Sequence, residues 1–203
     1  SCASSSTVTF EVKAQPTPAN ITTTPLSYCQ YQPFTLTSDA LSTGTTGRWT
    51  VTQIPNSEQT PVFLNPTSAS TDVSGLGIGI YKFKFTTTNG SCSTDDEVTI
   101  EIKSLPVVAA AGIRQIACFG GSTTLQANDP NPSGIPGHGG TWSLVTPGYS
   151  INTILNNDVN NPNAVFNAAG LPAGTYELRW TVSNGTCSTT STTHVEVLTD
   201  ITK

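Results

Sequence analysis

Residues 81–92 read YKFKFTTTNGSC, and residues 176–187 read YELRWTVSNGTC. Both stretches run from a tyrosine to a cysteine eleven positions later, with Asn-Gly in the same place. In the first, Tyr81, Phe83 and Phe85 alternate with Lys82 and Lys84. In the second, Tyr176, Leu178, Trp180 and Val182 alternate with Glu177, Arg179 and Thr181. A period of two with aromatic and branched residues on one side is the pattern of a half-buried strand. Asn89-Gly90 and Asn184-Gly185 offer the positive-φ pair that tight hairpin turns prefer. The tails EVTIEIK (97–103) and THVEVLT (193–199) alternate again, so each phrase predicts a β-hairpin.

The repetition extends outward from these phrases. Trp49 stands 32 residues before Tyr81, and Trp142 stands 34 before Tyr176. Cys29 precedes Trp49 by 20, and Cys118 precedes Trp142 by 24. A Leu-x-x-Gly step (Leu76–Gly79, Leu171–Gly174) comes before each tyrosine, and Asn-Pro (65–66, 161–162) lies before that step. Residues 1–14, SCASSSTVTFEVKA, repeat the tail alone, with Cys2 spaced from Phe10 and Val12 as Cys92 is from Ile100 and Ile102. The expected organisation is therefore the last strand of a preceding repeat at 1–14, one repeat at 15–104 and a second at 105–203. Short proline-bearing joints at 15–18 and 104–106 predict an extended, stiff array.

Helical periodicity with a cap is missing, so each repeat reads as an all-β sandwich of about seven short strands between Gly, Pro and Asn turns. Trp49 and Trp142 fall where a central strand crosses the core, and core packing is preferred over an exposed sugar-stacking platform. Tyr81 and Tyr176 begin a strand after a tight corner, where a buried tyrosine can hydrogen-bond its hydroxyl back to the backbone.

Composition narrows the function. Charged residues are 10% of the chain and the formal net charge is −5, with no basic patch. Nucleic-acid binding is set aside on that ground. No apolar run approaches the roughly 18 residues of a membrane helix, so no membrane insertion is expected. Methionine is absent, even at position 1, which reads as a processed or excised piece of something longer.

The stretches AAGIRQIACFGGSTTL (110–125), GGTWSL (139–144) and NPNAVFNAAGLPAGTYELRWTVSNGTC (161–187) resemble the PKD-like, immunoglobulin-like repeats of Bacteroidota. Residues 15–104 fit that pattern less closely. Such repeats occur in large secreted surface proteins, including gliding-motility adhesins exported by the type IX system. The resemblance implies a β-sandwich displayed on the bacterial cell surface, in a stalk or adhesive role. It implies no catalytic residues and no enzyme, and the implied partners are neighbouring repeats and surface glycans or other cell-surface polymers.

Five cysteines without C-x-x-C spacing point to disulfides rather than zinc. One bond per repeat, Cys29 with Cys92 and Cys118 with Cys187, is the simplest framework. Each would close a loop of about 65 residues and contribute on the order of 4 kcal/mol. The early cysteine would then need a first strand that switches sheets and runs beside the last one. The alternative pairs Cys2 with Cys29 and Cys92 with Cys118.

Few residues suggest chemistry. His138, in PGHGG, and Tyr149, in the loop region 146–163, are the candidate ligand-loop residues of a carbohydrate-binding alternative. His194 sits on the last strand, out of phase with Val195. No serine lies in a G-x-S-x-G elbow. Asp95, Asp96 and Glu97 form an acidic cluster, but calcium wants about six to eight oxygen ligands. A solvated turn that also discourages edge pairing is the preferred reading there, with calcium as the alternative, and no other cofactor is expected.

Overall fold

In the computed structural model of the protein, which describes residues 2–55 and 60–199, the phrase at 81–92 becomes the central hairpin of a sheet. The chain divides into two units, Ser1–Lys103 and Ser104–Lys203. Among its described residues the first carries seven strands: β1 (Ser27–Cys29), β2 (Phe34–Thr37), β3 (Thr46–Gln53), β4 (Val62–Phe63), β5 (Ser70–Ser74), β6 (Gly79–Asn89) and β7 (Cys92–Lys103). One sheet has the order β1-β7-β6-β3 and the other β2-β5-β4. The second unit carries β8 (Gln115–Ala117), β9 (Ser122–Thr124), β10 (Gly139–Leu144), β11 (Val165–Asn167), β12 (Gly174–Ser183) and β13 (Ser188–Val197). Its sheets are β10-β12-β13-β8 and β11-β9. A single helical turn, α1 (Ile151–Ile154), occupies the stretch between β10 and β11. Both units are immunoglobulin-like β-sandwiches, with the two sheets closing over an aromatic core.

Alternation places that core. Tyr81, Phe83 and Phe85 on β6 are each 0–1% exposed and pack with Trp49, Phe34, Leu36, Ile100 and Ile102. Tyr176, Leu178, Trp180 and Val182 on β12 are buried with Trp142, Leu125, Phe166, Val195 and Val197. Full burial of each such side chain contributes roughly 1.5–3 kcal/mol. Trp49 and Trp142 are both 1% exposed, so they are core residues and present no platform to a sugar. Their indole N–H groups donate to Ser68 O at 2.9 Å and Asn161 O at 3.0 Å, each 19 residues downstream.

The first strand of each unit switches sheets. Thr22 N donates to Thr37 O at 2.8 Å, beside β2, while β1 lies parallel to β7 with Tyr28 opposite Ile102. The second unit does the same: Asn128 N donates to Ala110 O, and β8 then runs parallel to β13 with Ile116 opposite Glu196. Gly112 sits at that switch with φ +80°, and a Cβ there would fall 2.2 Å from Gln126 O. Only glycine combines that conformation with that approach.

The hairpin turn differs from the expectation. Asn89 and Asn184 do not take positive φ; only Gly90 (φ 63°) and Gly185 (φ 90°) do. Asn89 pairs with Cys92 in register, so Gly90 and Ser91 are the central residues. Asparagine is there for its side chain. Asn184 Oδ1 accepts from Cys187 N at 2.8 Å, while its Nδ2 donates to Ser104 O at 2.6 Å. Asn89 Nδ2 donates likewise to Ala14 O at 3.1 Å.

Candidate functional site

The cysteines depart most from the sequence reading. Cys29 and Cys187 are disulfide-bonded, whereas Cys2, Cys92 and Cys118 are free thiols. Neither the Cys29–Cys92 and Cys118–Cys187 framework nor the Cys2–Cys29 and Cys92–Cys118 alternative forms. For the in-repeat framework the parallel first strand is the reason. In the first unit Cys29 lies opposite Lys103, at the far end of β7 from Cys92. Those ends are eleven residue steps apart, roughly 36 Å at about 3.3 Å per step, whereas bridged Cα atoms lie within about 7 Å. In the second unit Ala117, next to Cys118, lies opposite Val197, ten residues along β13 from Cys187. The first strand does run beside the last, as the in-repeat pairing required, but it meets the wrong end.

His138 and Tyr149 belong to different places. His138 precedes β10 and borders a shallow, open groove of about 510 Å³ with Thr141, Asn160, Thr181 and Ser183. The loop before it is braced from within: Asn131 Oδ1 accepts from Ile135 N at 2.7 Å, and Asn131 Nδ2 donates to Ile135 O at 2.9 Å. Tyr149 packs edge-on against Tyr176, ring centroids 5.5 Å apart, at the opposite end of β12. Gly139 is paired with Ser183, whereas Tyr176 lies seven residues earlier, about 23 Å along the strand. The two loop residues are not brought together. His194 is exposed and lies opposite Glu177, away from His138.

Two of the three acids are engaged, each with its own partners. Asp96 Oδ2 accepts from Ile21 N at 2.8 Å. Glu97 accepts from the Thr52 hydroxyl at 2.6 Å and pairs with Lys82 at 3.3 Å. The Thr52 hydrogen bond, with Lys82 behind it, holds the Glu97 carboxyl below the usual glutamate range. Asp96 projects to the opposite face of β7 from Asp95 and Glu97, as alternation dictates. Among the described residues no three His, Cys, Asp or Glu side chains are grouped to hold a metal ion.

Burial, and then the neighbouring Tyr149 hydroxyl, push the Tyr176 phenol up. Its O–H donates to Pro172 O at 2.9 Å, so this shift belongs to the corner rather than to a reactive group. Trp180 carries a further feature that the sequence did not offer. Among the described residues its buried indole N–H has no acceptor, and its ring lies over Gly140, where a Cβ would fall 2.1 Å from Cζ2.

No family profile matches the chain, and no curated protein matches it. Solved structures do. A chain in the structure of mouse coronavirus receptor-binding domain complexed with its murine receptor matches with TM-score 0.55 and 13% identity, over 90% of this chain and 100% of that one. Extracellular domains 3–5 of Drosophila OTK match with TM-score 0.54 and 13% identity, over 90% of this chain and 59% of that one. The fibronectin(III)-like modules of Clostridium thermocellum CbhA match with TM-score 0.50 and 10% identity, over 89% and 94%. At these identities the likeness is one of fold.

Proposed function

We propose that the chain is a non-catalytic, extracellular segment of a bacterial surface adhesin, in which serial immunoglobulin-like repeats act as a stiff, tension-bearing stalk. The observation that carries this reading is the parallel pairing of first and last strands in each unit, β1 with β7 and β8 with β13. Tension on the two ends of a unit draws such strands in opposite directions along their length. Their hydrogen bonds are then loaded together in shear rather than opened one after another. Repeat organisation at 15–104 and 105–203, the low charge and the resemblance of 110–187 to Bacteroidota surface repeats support the same reading, with export by the type IX system as its setting. Adhesion would be carried by neighbouring repeats or by surface polymers along the array.

Single-molecule pulling of the chain under reducing conditions tests the proposal. Two high-force unfolding events are expected. Gln30→Pro removes the Gln30 N to Lys103 O bond of 2.8 Å and should lower the force of one event while leaving the other unchanged. Low-force unfolding that is indifferent to this substitution would remove the stalk reading.

A second reading, a carbohydrate-binding accessory module, is favoured by the groove beside His138, whose rim of Thr141 and Asn160 offers hydroxyl and amide groups. A glycan array is its test. His138→Ala should abolish any signal from the groove, and Tyr149→Ala should leave it intact, since the two lie at opposite ends of β12.

A further inference from the structure

Residues 8–13 read VTFEVK and residues 98–103 read VTIEIK. Their surroundings differ completely. Within β7, Ile100 is 0% and Ile102 3% exposed, packed between β6 and β1. Val8, Phe10 and Val12 are 78%, 81% and 88% exposed, in no sheet. An alternating apolar stripe of this kind on an extended segment is unsatisfied strand surface.

The hydrogen bonds that follow show that the two segments occupy equivalent positions. Asn89 Nδ2 holds Ala14 O at 3.1 Å, and Asn184 Nδ2 holds Ser104 O at 2.6 Å. Ala19 N donates to Thr94 Oγ1 at 3.1 Å, and Ala109 N to Thr189 Oγ1 at 2.9 Å. Thr94 Oγ1 reaches Thr17 O, and Thr189 Oγ1 reaches Val107 O. The polar face repeats as well: Lys13 pairs with Glu11, and Lys103 pairs with Glu101. The segment before Ala14 is thus a β7-type strand whose junction is already formed but whose sheet is elsewhere.

We infer that residues 2–13 are the last strand of a further repeat of this kind, taking there the place that β7 and β13 take in the two units. There it would run antiparallel to a β6-type aromatic strand, burying Val8, Phe10 and Val12, and parallel to a β1-type strand. Main-chain hydrogen bonds would supply affinity and the alternating pockets specificity, as in strand addition generally. An intact second copy does not fit, because β7 and β13 fill that place in both units. The inference rests on the tandem-repeat reading, but its test does not involve mechanical strength, so the two can fail separately.

The test adds a copy of residues 15–90 directly before Ser1 of the full chain, so that residues 2–13 follow the copy's hairpin turn. Amide exchange at Val8–Lys13 should slow by roughly 100-fold or more relative to the unextended chain. Phe10→Asp in the extended chain should restore fast exchange and unfold the added copy, leaving the melting of the two original units unchanged. Exchange as fast in the extended chain as in the original overturns the inference. So does protection of these amides in a self-associated, unextended chain, which would assign the strand to a second intact copy.

Discussion

The Tyr176 hydroxyl donates to the carbonyl of Pro172, four residues back, at 2.9 Å. Tyr81 makes the opposite bond over the same span, its oxygen accepting from Gly77 N at 2.8 Å. The corner is therefore held from either side of the peptide, and the cost of losing the hydroxyl differs. Tyr176→Phe leaves a carbonyl on an exposed residue and should cost about 0.5–1.5 kcal/mol. Tyr81→Phe leaves a half-buried N–H without its acceptor and should cost more, about 1–3 kcal/mol. Denaturant unfolding of the two variants measures the difference.

Gly140→Ala should destabilise the second unit by about 1–3 kcal/mol or more, because its Cβ would meet the Trp180 ring at 2.1 Å. Gly47 is its counterpart, where a Cβ would lie 2.4 Å from Phe85. Gly140→Ala combined with Trp180→Phe should recover part of the loss, since phenylalanine is shorter and removes the unpaired indole N–H. Melting curves of the single and double variants form the cycle.

Alkylation of the native, unreduced chain should modify Cys2 and Cys118 rapidly and Cys92 more slowly, following their exposure. Cys29 and Cys187 should react only after reduction. Non-reducing peptide mapping that placed Cys92 or Cys118 in a disulfide would contradict the structure.

Glu97 gives the acid side of the stability profile a specific contributor. Its carboxyl is held below the ordinary glutamate value, mainly by Thr52. A depressed folded value means stability present above the unfolded value and lost as pH falls through the folded one. Glu97→Gln should therefore flatten the decline of melting temperature below about pH 4.5 and leave the slope near neutrality unchanged.

The hairpins, the corner tyrosines and the buried tryptophans were legible because alternation and spacing are local. Tyr81, Phe83 and Phe85 state their burial within five residues. The cysteine pattern was not legible, because register decides it. Cys29 lies beside β7 as a one-bond-per-repeat scheme requires, but opposite Lys103 and not Cys92. No spacing in the sequence reports which end of a twelve-residue strand a short parallel partner meets. Asn89 and Asn184 misled differently, since their turn propensity masked a side-chain role at the junction. His138 and Tyr149, close in sequence, are separated by the length of β12, a consequence of pairing that neither loop announces.

One equivalent bond in each unit spans a different length of chain. Ala19 and Thr94 are 75 residues apart, whereas Ala109 and Thr189 are 80 apart. The five additional residues (80 − 75) leave the Trp-to-carbonyl span at 19 in both units and the corner span at four. Insertions are thus absorbed before Trp142 and between Asn161 and the corner, without disturbing where a unit begins or ends. Such a unit can diversify its loops independently of its place in a series. For an engineer, the segment between Asn128 and Gly139 is accordingly the place to graft foreign peptides onto a scaffold whose connections stay fixed.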